Sequence, residues 1–271
     1  MIRVELVKML RRPRTWVTIA MLDALPTLVA VLLALTDIGP RPGTGPPFLS
    51  AVLTDGTLYP LAALAIVLPL FLPVAVAVMA GDAIAGEAQA GTLRYLLVRP
   101  VGRTRLLVAK LISVVAFVLL TVVVVAVTAY VMGQLLLGDG DSTGLVSGVS
   151  GTSLTGSQIV ERTLLSVGYV TLSMLGIAAL ALLLSTATDS ALGAALGALA
   201  FLIASTLLLT LDAAASLQPY LPTRYWLAFV DLFRDPILWR EVVRGVLLQG
   251  VYLAVFLAAA WANFTSKDIT S

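Results

Sequence analysis

Side chains that most often carry chemistry are scarce in this 271-residue chain. It has no His and no Cys, which excludes Ser-His-Asp and Cys-His nucleophiles, His-based zinc sites, thiolate clusters, His-ligated haem and disulfides. Its only lysines are Lys8, Lys110 and Lys267, and none follows a Gly. A Gly-Lys-Ser/Thr phosphate loop is therefore absent, and the chain cannot bind ATP by that route. Asp139, Asp141 and Gly144 fall at calcium-loop spacing, but Ser150 stands where a bidentate Glu belongs, so calcium is rejected and no metal site is expected. What remains is a small set of charges whose position matters more than their reactivity. Asp23 lies inside an apolar run, three residues before Pro26. An ionisable group there either faces a transport pathway or hydrogen-bonds to polar neighbours. Asp82 and Lys110 fall at the edges of apolar runs, where snorkelling to the interface would satisfy them.

The elements that must position these groups follow from composition. Hydrophobic residues make up 59% and charged residues 12% of the chain, and the mean hydropathy is +1.02. Soluble domains carry about 25% charged residues, and a soluble fold of this size could not hide so much apolar surface. The expected fold class is an all-α integral membrane protein, a single domain over residues 1–271. Six runs are long and apolar enough to span a bilayer: 16–35, 58–80, 106–134, 164–186, 191–211 and 246–264. The first follows Arg11, Arg12 and Arg14, yet it is too long for a signal-peptide core and contains Asp23, so it reads as a retained helix. Pro60, Pro69 and Pro73 predict kinks or a broken outer end in the second span. Gly193 and Gly197 form a Gly-x-x-x-Gly pair in the fifth, which permits close helix packing within the chain or across a dimer.

Orientation follows from Lys and Arg. With the amino terminus in the cytoplasm, eleven of the seventeen cations fall on the cytoplasmic side, and both termini lie there. The net charge of +2 is too mild for a nucleic-acid partner, and the positive-inside pattern accounts for the basic residues. Residues 1–15 interleave Val4, Val7 and Leu10 with Arg3, Glu5, Lys8 and Arg11 before Pro13, which predicts a short surface helix and a turn into the membrane. Residues 138–157 form a Gly/Ser/Thr-rich outer loop. In residues 212–244, Trp226, Phe229, Val230 and Phe233 predict one apolar helical face, and Asp235-Pro236 predicts the start of a second interfacial helix.

Residues 81–105 (GDAIAGEAQAGTLRYLLVRPVGRTR) carry the most information. Gly91 ends the helix that continues the second span. Thr92 caps a new helix in which Leu93, Leu96 and Leu97 form an apolar stripe beside Arg94. Pro100 stops that helix and drives Arg99 toward an extended backbone. The product is a short amphipathic cytoplasmic helix between two spans, suited to take a push from a soluble partner or, more plainly, a basic loop obeying the positive-inside rule.

The run AGEAQAGTLRYLLVRPVGRTRLLVAK resembles the signature between the second and third helices of type-2 ATP-binding-cassette (ABC) permeases, through Glu87, Gly91, Thr92, Leu93, Leu96, Leu97, Pro100, Val101, Arg103 and Lys110. VELVKMLRRPRTW near the start and NFTSKDI near the end are weaker matches. The resemblance implies a permease subunit, not itself an enzyme, that pairs with a second permease as a homo- or heterodimer in the cell membrane. Two separate ATPase subunits, which hold the ATP and magnesium, would dock on the coupling element from Glu87 to Pro100. It also implies the amino-terminal surface helix and the reentrant outer helices before the sixth span. The apolar spans suit a lipophilic or amphiphilic cargo moved by efflux. The alternative is a secondary transporter or channel, which would place paired charges at mid-membrane. An intramembrane enzyme is disfavoured by the lack of a base His and of paired carboxylates in neighbouring spans.

Overall fold

The computed structural model describes residues 1–36, 56–91, 102–138, 145–147 and 152–266. Helix α1 (Ile2–Arg11) is amphipathic, and α2 (Pro13–Leu35) begins directly after it. Pro13 explains the corner between them. It leaves Arg12 extended (φ −75°, ψ 122°), as a residue before proline prefers, and its fixed φ starts the next helix. The Thr15 hydroxyl and Trp16 indole then donate to the Met9 and Leu10 carbonyls, both at 2.8 Å, bracing the corner with groups that α1 leaves open at its end.

The expected second span is broken in two, α3 (Tyr59–Val67) and α4 (Phe71–Gln89). Of its three prolines only Pro69, in the connecting turn, interrupts it. Pro60 and Pro73 fall in first turns, where a missing N–H costs nothing. The remaining helices are α5 (Arg103–Met132, extended by a π-turn at Gly133–Leu137), α6 (Gly156–Ala187), α7 (Ala191–Thr210) and α8 (Trp239–Ser266). Among the described residues, six helices are long and apolar enough to cross a membrane: α2, α4, α5, α6, α7 and α8. This is a multi-pass, mostly helical membrane protein.

Helix α6 is the hub, packing against α4, α5, α7 and α8. It begins earlier than its hydropathy indicates. Strands β1 (Leu145–Ser147) and β2 (Ser153–Thr155) pair antiparallel, with Val146 opposite Leu154, inside the stretch read as loop. Thr155 and Gln158 then make a reciprocal capping box that starts α6 at Gly156. The calcium-like positions Asp139, Asp141, Gly144 and Ser150 lie outside the described residues.

Small residues let α4, α6 and α7 approach closely, and the Gly-x-x-x-Gly pair is only half of the explanation. A Cβ on Gly197 would meet Leu184 of α6 at 2.9 Å, so this glycine packs within the chain. Among the described residues, the nearest neighbours of Gly193 are Ser190 and Thr188 of its own cap. At Gly81 of α4 the approach is to backbone, where a Cβ would come within 3.0 Å of the Ala195 nitrogen and 3.2 Å of the Ala191 oxygen. Ser185 of α6 reinforces that site. Its hydroxyl donates to the Gly81 carbonyl (2.7 Å) and accepts from the Ala85 and Ile84 amides (2.8 and 3.1 Å).

Alternating helix directions gather α1, the ends of α4, α6 and α8, and the starts of α5 and α7 at one end of the bundle, called the near end below. Arg103 caps α8 there, donating to the Phe264 and Thr265 carbonyls at 3.3 and 3.0 Å, where a cation also meets the negative end of the helix dipole. At the far end, residues 211–238 are irregular. Trp226–Phe233 is a 3-10 helix rather than an α-helix, burying Trp226, Phe229, Leu232 and Phe233 while Val230 is only half-buried. A burial step of three residues is what three residues per turn produces. No separate helix starts at Pro236, because Asp235 and Arg234 are engaged by Arg162 and the next helix begins at Trp239.

Candidate functional site

The near end holds a cluster of ion pairs built from four elements. On α1, Glu5, Lys8 and Met9 follow the i, i+3, i+4 spacing of one helical face, and Arg12 follows at the C-cap. That face meets the first turns of α5, with Glu5 and Met9 buried. Lys110, on α5 and only 5% exposed, donates to Glu5 Oε2 and Glu87 Oε1, both at 3.0 Å. Lys8 also pairs with Glu87 Oε1. One turn back on α4, Asp82 Oδ2 accepts from Arg12 at 3.3 Å and from Arg14 at the start of α2. The pairs border a cavity of about 400 Å³.

This corrects one sequence expectation. Lys110 does not snorkel to water, because a buried ammonium is tolerated when counter-charges surround it, and Glu5 and Glu87 do so. Glu87, which opens the stretch matched to the docking element, is buried inside the bundle between two lysines. Gly91 behaves as read: α4 ends at Gln89, and Gly91 takes φ +68°, a left-handed conformation that closes a helix without a Cβ penalty. Thr92, Leu93, Arg94, Leu96, Leu97, Arg99 and Pro100 lie outside the described residues.

Asp23 stands apart from this cluster. It is ten residues into α2, about 15 Å along the helix at 1.5 Å per residue. It is half-buried; its carboxyl faces the Thr128 hydroxyl of α5, and Oδ1 has no hydrogen-bond partner among the described residues.

The far end contains polar residues that the sequence did not single out. Arg162 is 6% exposed and donates to the Arg234 carbonyl at 3.1 Å. Tyr169 donates to the Tyr225 carbonyl (2.6 Å), Gln249 to Pro222 (2.7 Å) and Tyr252 to Tyr220 (2.7 Å). Irregular backbone inside a membrane protein must have its carbonyls satisfied by something other than water. These side chains supply the donors. The near-end chemistry is ion pairing that pins α1 to α4 and α5; the far-end chemistry, Arg162 apart, is neutral capping of a chain that has left the helix. One signal for Glu5 was available, since it is the lone acid of an otherwise basic helix.

The model of a family described as a protein of unknown function, DUF2705, matches residues 28–270. No curated protein matches the chain.

Proposed function

We propose that this chain, which belongs to the DUF2705 family, is the membrane-spanning permease subunit of an ATP-driven ABC transporter, working as a dimer with separate ATPase subunits and exporting a lipophilic or amphiphilic compound. The near end faces the cytoplasm in this reading, and the stretch from Glu87 to Pro100 is the docking element. One observation carries it beyond the resemblance: the helices on either side of that element, α4 and α5, are tied to each other and to α1 through Glu87, Lys110 and Glu5. A push on a segment anchored this way moves three elements together, because buried ion pairs are costly to break one partner at a time. The six membrane-length helices supply the pathway walls.

The test is ATPase capture. Leu96→Asp puts a charge on the apolar face of the docking element, where an unpaired charge costs several kcal/mol, and each ~1.4 kcal/mol weakens binding tenfold. An ATPase subunit should co-purify with the wild-type chain and be lost from the variant, while membrane insertion persists. Co-purification at wild-type yield with substrate-stimulated turnover intact would reject the coupling assignment. Asp23, in a span and with Oδ1 lacking a hydrogen-bond partner among the described residues, favours a second reading as an ion-coupled secondary transporter. That reading requires transport driven by an ion gradient without ATP hydrolysis, and its loss in Asp23→Asn.

A further inference from the structure

Among the described residues, the lining of the near-end cavity carries a charge imbalance. Its ionic wall divides into two groups. Lys8 and Lys110 face Glu5 and Glu87, so that half is neutral. Arg12 and Arg14 share the single carboxylate of Asp82, which leaves one positive charge in excess. Each guanidinium engages Asp82 through one terminal nitrogen, while a guanidinium carries five N–H donors in a planar fork suited to phosphate oxygens. Both arginine side chains keep 39% and 49% exposure, so an incoming anion can reach them. Pro13 and the Thr15 and Trp16 hydrogen bonds hold the corner that carries both.

The rest of the described lining is mostly apolar, with Met9, Met79, Ala83 and Val114 beside the single hydroxyl of Ser113. An anion site floored by methionine and alanine fits a molecule with a charged head and a hydrocarbon body better than a free ion. The surroundings point the same way. Helix α1 exposes Val4, Val7 and Leu10, and an amphipathic basic helix beside the start of a span lies at the depth of lipid headgroups. Anionic lipid is attracted to Lys and Arg at that depth.

We infer that this cavity seats the phosphate of one anionic phospholipid between Arg12 and Arg14, with the first part of its apolar body against Met9 and Met79. The bound lipid neutralises the excess charge and fastens α1 to the bundle. This holds whether or not the chain works with an ATPase.

The experiment uses the purified, delipidated full-length chain. Native mass spectrometry follows binding of phosphatidylglycerol, phosphatidylcholine and inorganic phosphate. The wild type should retain one phosphatidylglycerol about tenfold more tightly than phosphatidylcholine, and inorganic phosphate should not displace it. Replacing both arginines (Arg12→Gln with Arg14→Gln) should weaken phosphatidylglycerol by about tenfold. Asp82→Asn should strengthen it by a similar factor, because it raises the local excess from one positive charge to two. A merely structural role for the Arg–Asp cluster gives no such gain, so Asp82→Asn decides the matter even where the double variant fails to fold. Equal retention of the two lipids, displacement by inorganic phosphate, or unchanged or weaker binding in Asp82→Asn would each overturn the assignment.

Discussion

At the near end, one buried ammonium sits 3.0 Å from two carboxylates carried by two other helices. At the far end, Gln249, Tyr169 and Tyr252 each give a neutral hydrogen bond to a carbonyl of the irregular chain between α7 and α8. Both ends remove polar groups from lipid, yet the consequences differ. A buried charge that loses its partner keeps its full desolvation cost, and several pairs here share members, so the near-end contacts act as a unit. A neutral donor satisfies one carbonyl, and its loss strands one group. The near end is thus a linkage between elements, and the far end a set of separate caps. Arg162 is the exception at the far end, a charge used to hold the Arg234 carbonyl and the Asp235 carboxylate.

The largest effect that would break this contrast is at Lys110. Lys110→Met leaves Glu5 and Glu87 without their shared buried cation and should lower stability by about 3–5 kcal/mol, read as a loss of melting temperature in detergent. A cost no larger than that of a far-end cap would show that the ion cluster is not a linkage. Next is Gln249→Leu, which strands the Pro222 carbonyl and should cost about 1–3 kcal/mol by the same measurement. A shift as large as that of Lys110→Met would make the far-end caps cooperative too. The smallest is Ser185→Ala, which sharpens the comparison by placing a neutral bond at the near end. Its loss should cost only about 0.5–1.5 kcal/mol, because the Ile84 and Ala85 amides it accepts from lie within α4 and have helical carbonyls within reach. A larger loss would mean that position along the bundle, not charge, sets the cost.

What was legible in the sequence depended on how local the physics was. Pro13, Pro69 and Gly91 act on their own backbone, so the corner after α1, the break in the second span and the end of α4 follow from residue type and position. The Thr155–Gln158 capping box was equally local and equally readable, although hydropathy placed the start of that span several residues later. The aromatic spacing of 226, 229, 230 and 233 fits an α-helix as well as anything, and local pattern could not exclude that. The segment becomes a 3-10 helix where donors from α6 and α8 take up carbonyls beside it at Pro222, Tyr225 and Arg234. Gly193 and Gly197 illustrate the same limit: the spacing marks a surface where helices can approach, and only the packing shows that Gly197 meets Leu184 while Gly193 meets its own cap.

By itself, the sequence determined that this chain is a membrane protein with six helices of spanning length, because apolar content over twenty-residue stretches is a property of the chain before it folds. It also determined which covalent chemistries are closed to it, since a chain without His or Cys has no imidazole or thiolate to use. Only the tertiary structure decided what its charges do. Glu5 and Lys110 are 105 positions apart, Lys8 and Glu87 are 79, and Arg162 and Arg234 are 72. Which of them meet depends on the rotation of each helix about its axis, and that rotation is fixed by packing of near-uniform apolar faces that carry almost no pattern in the sequence.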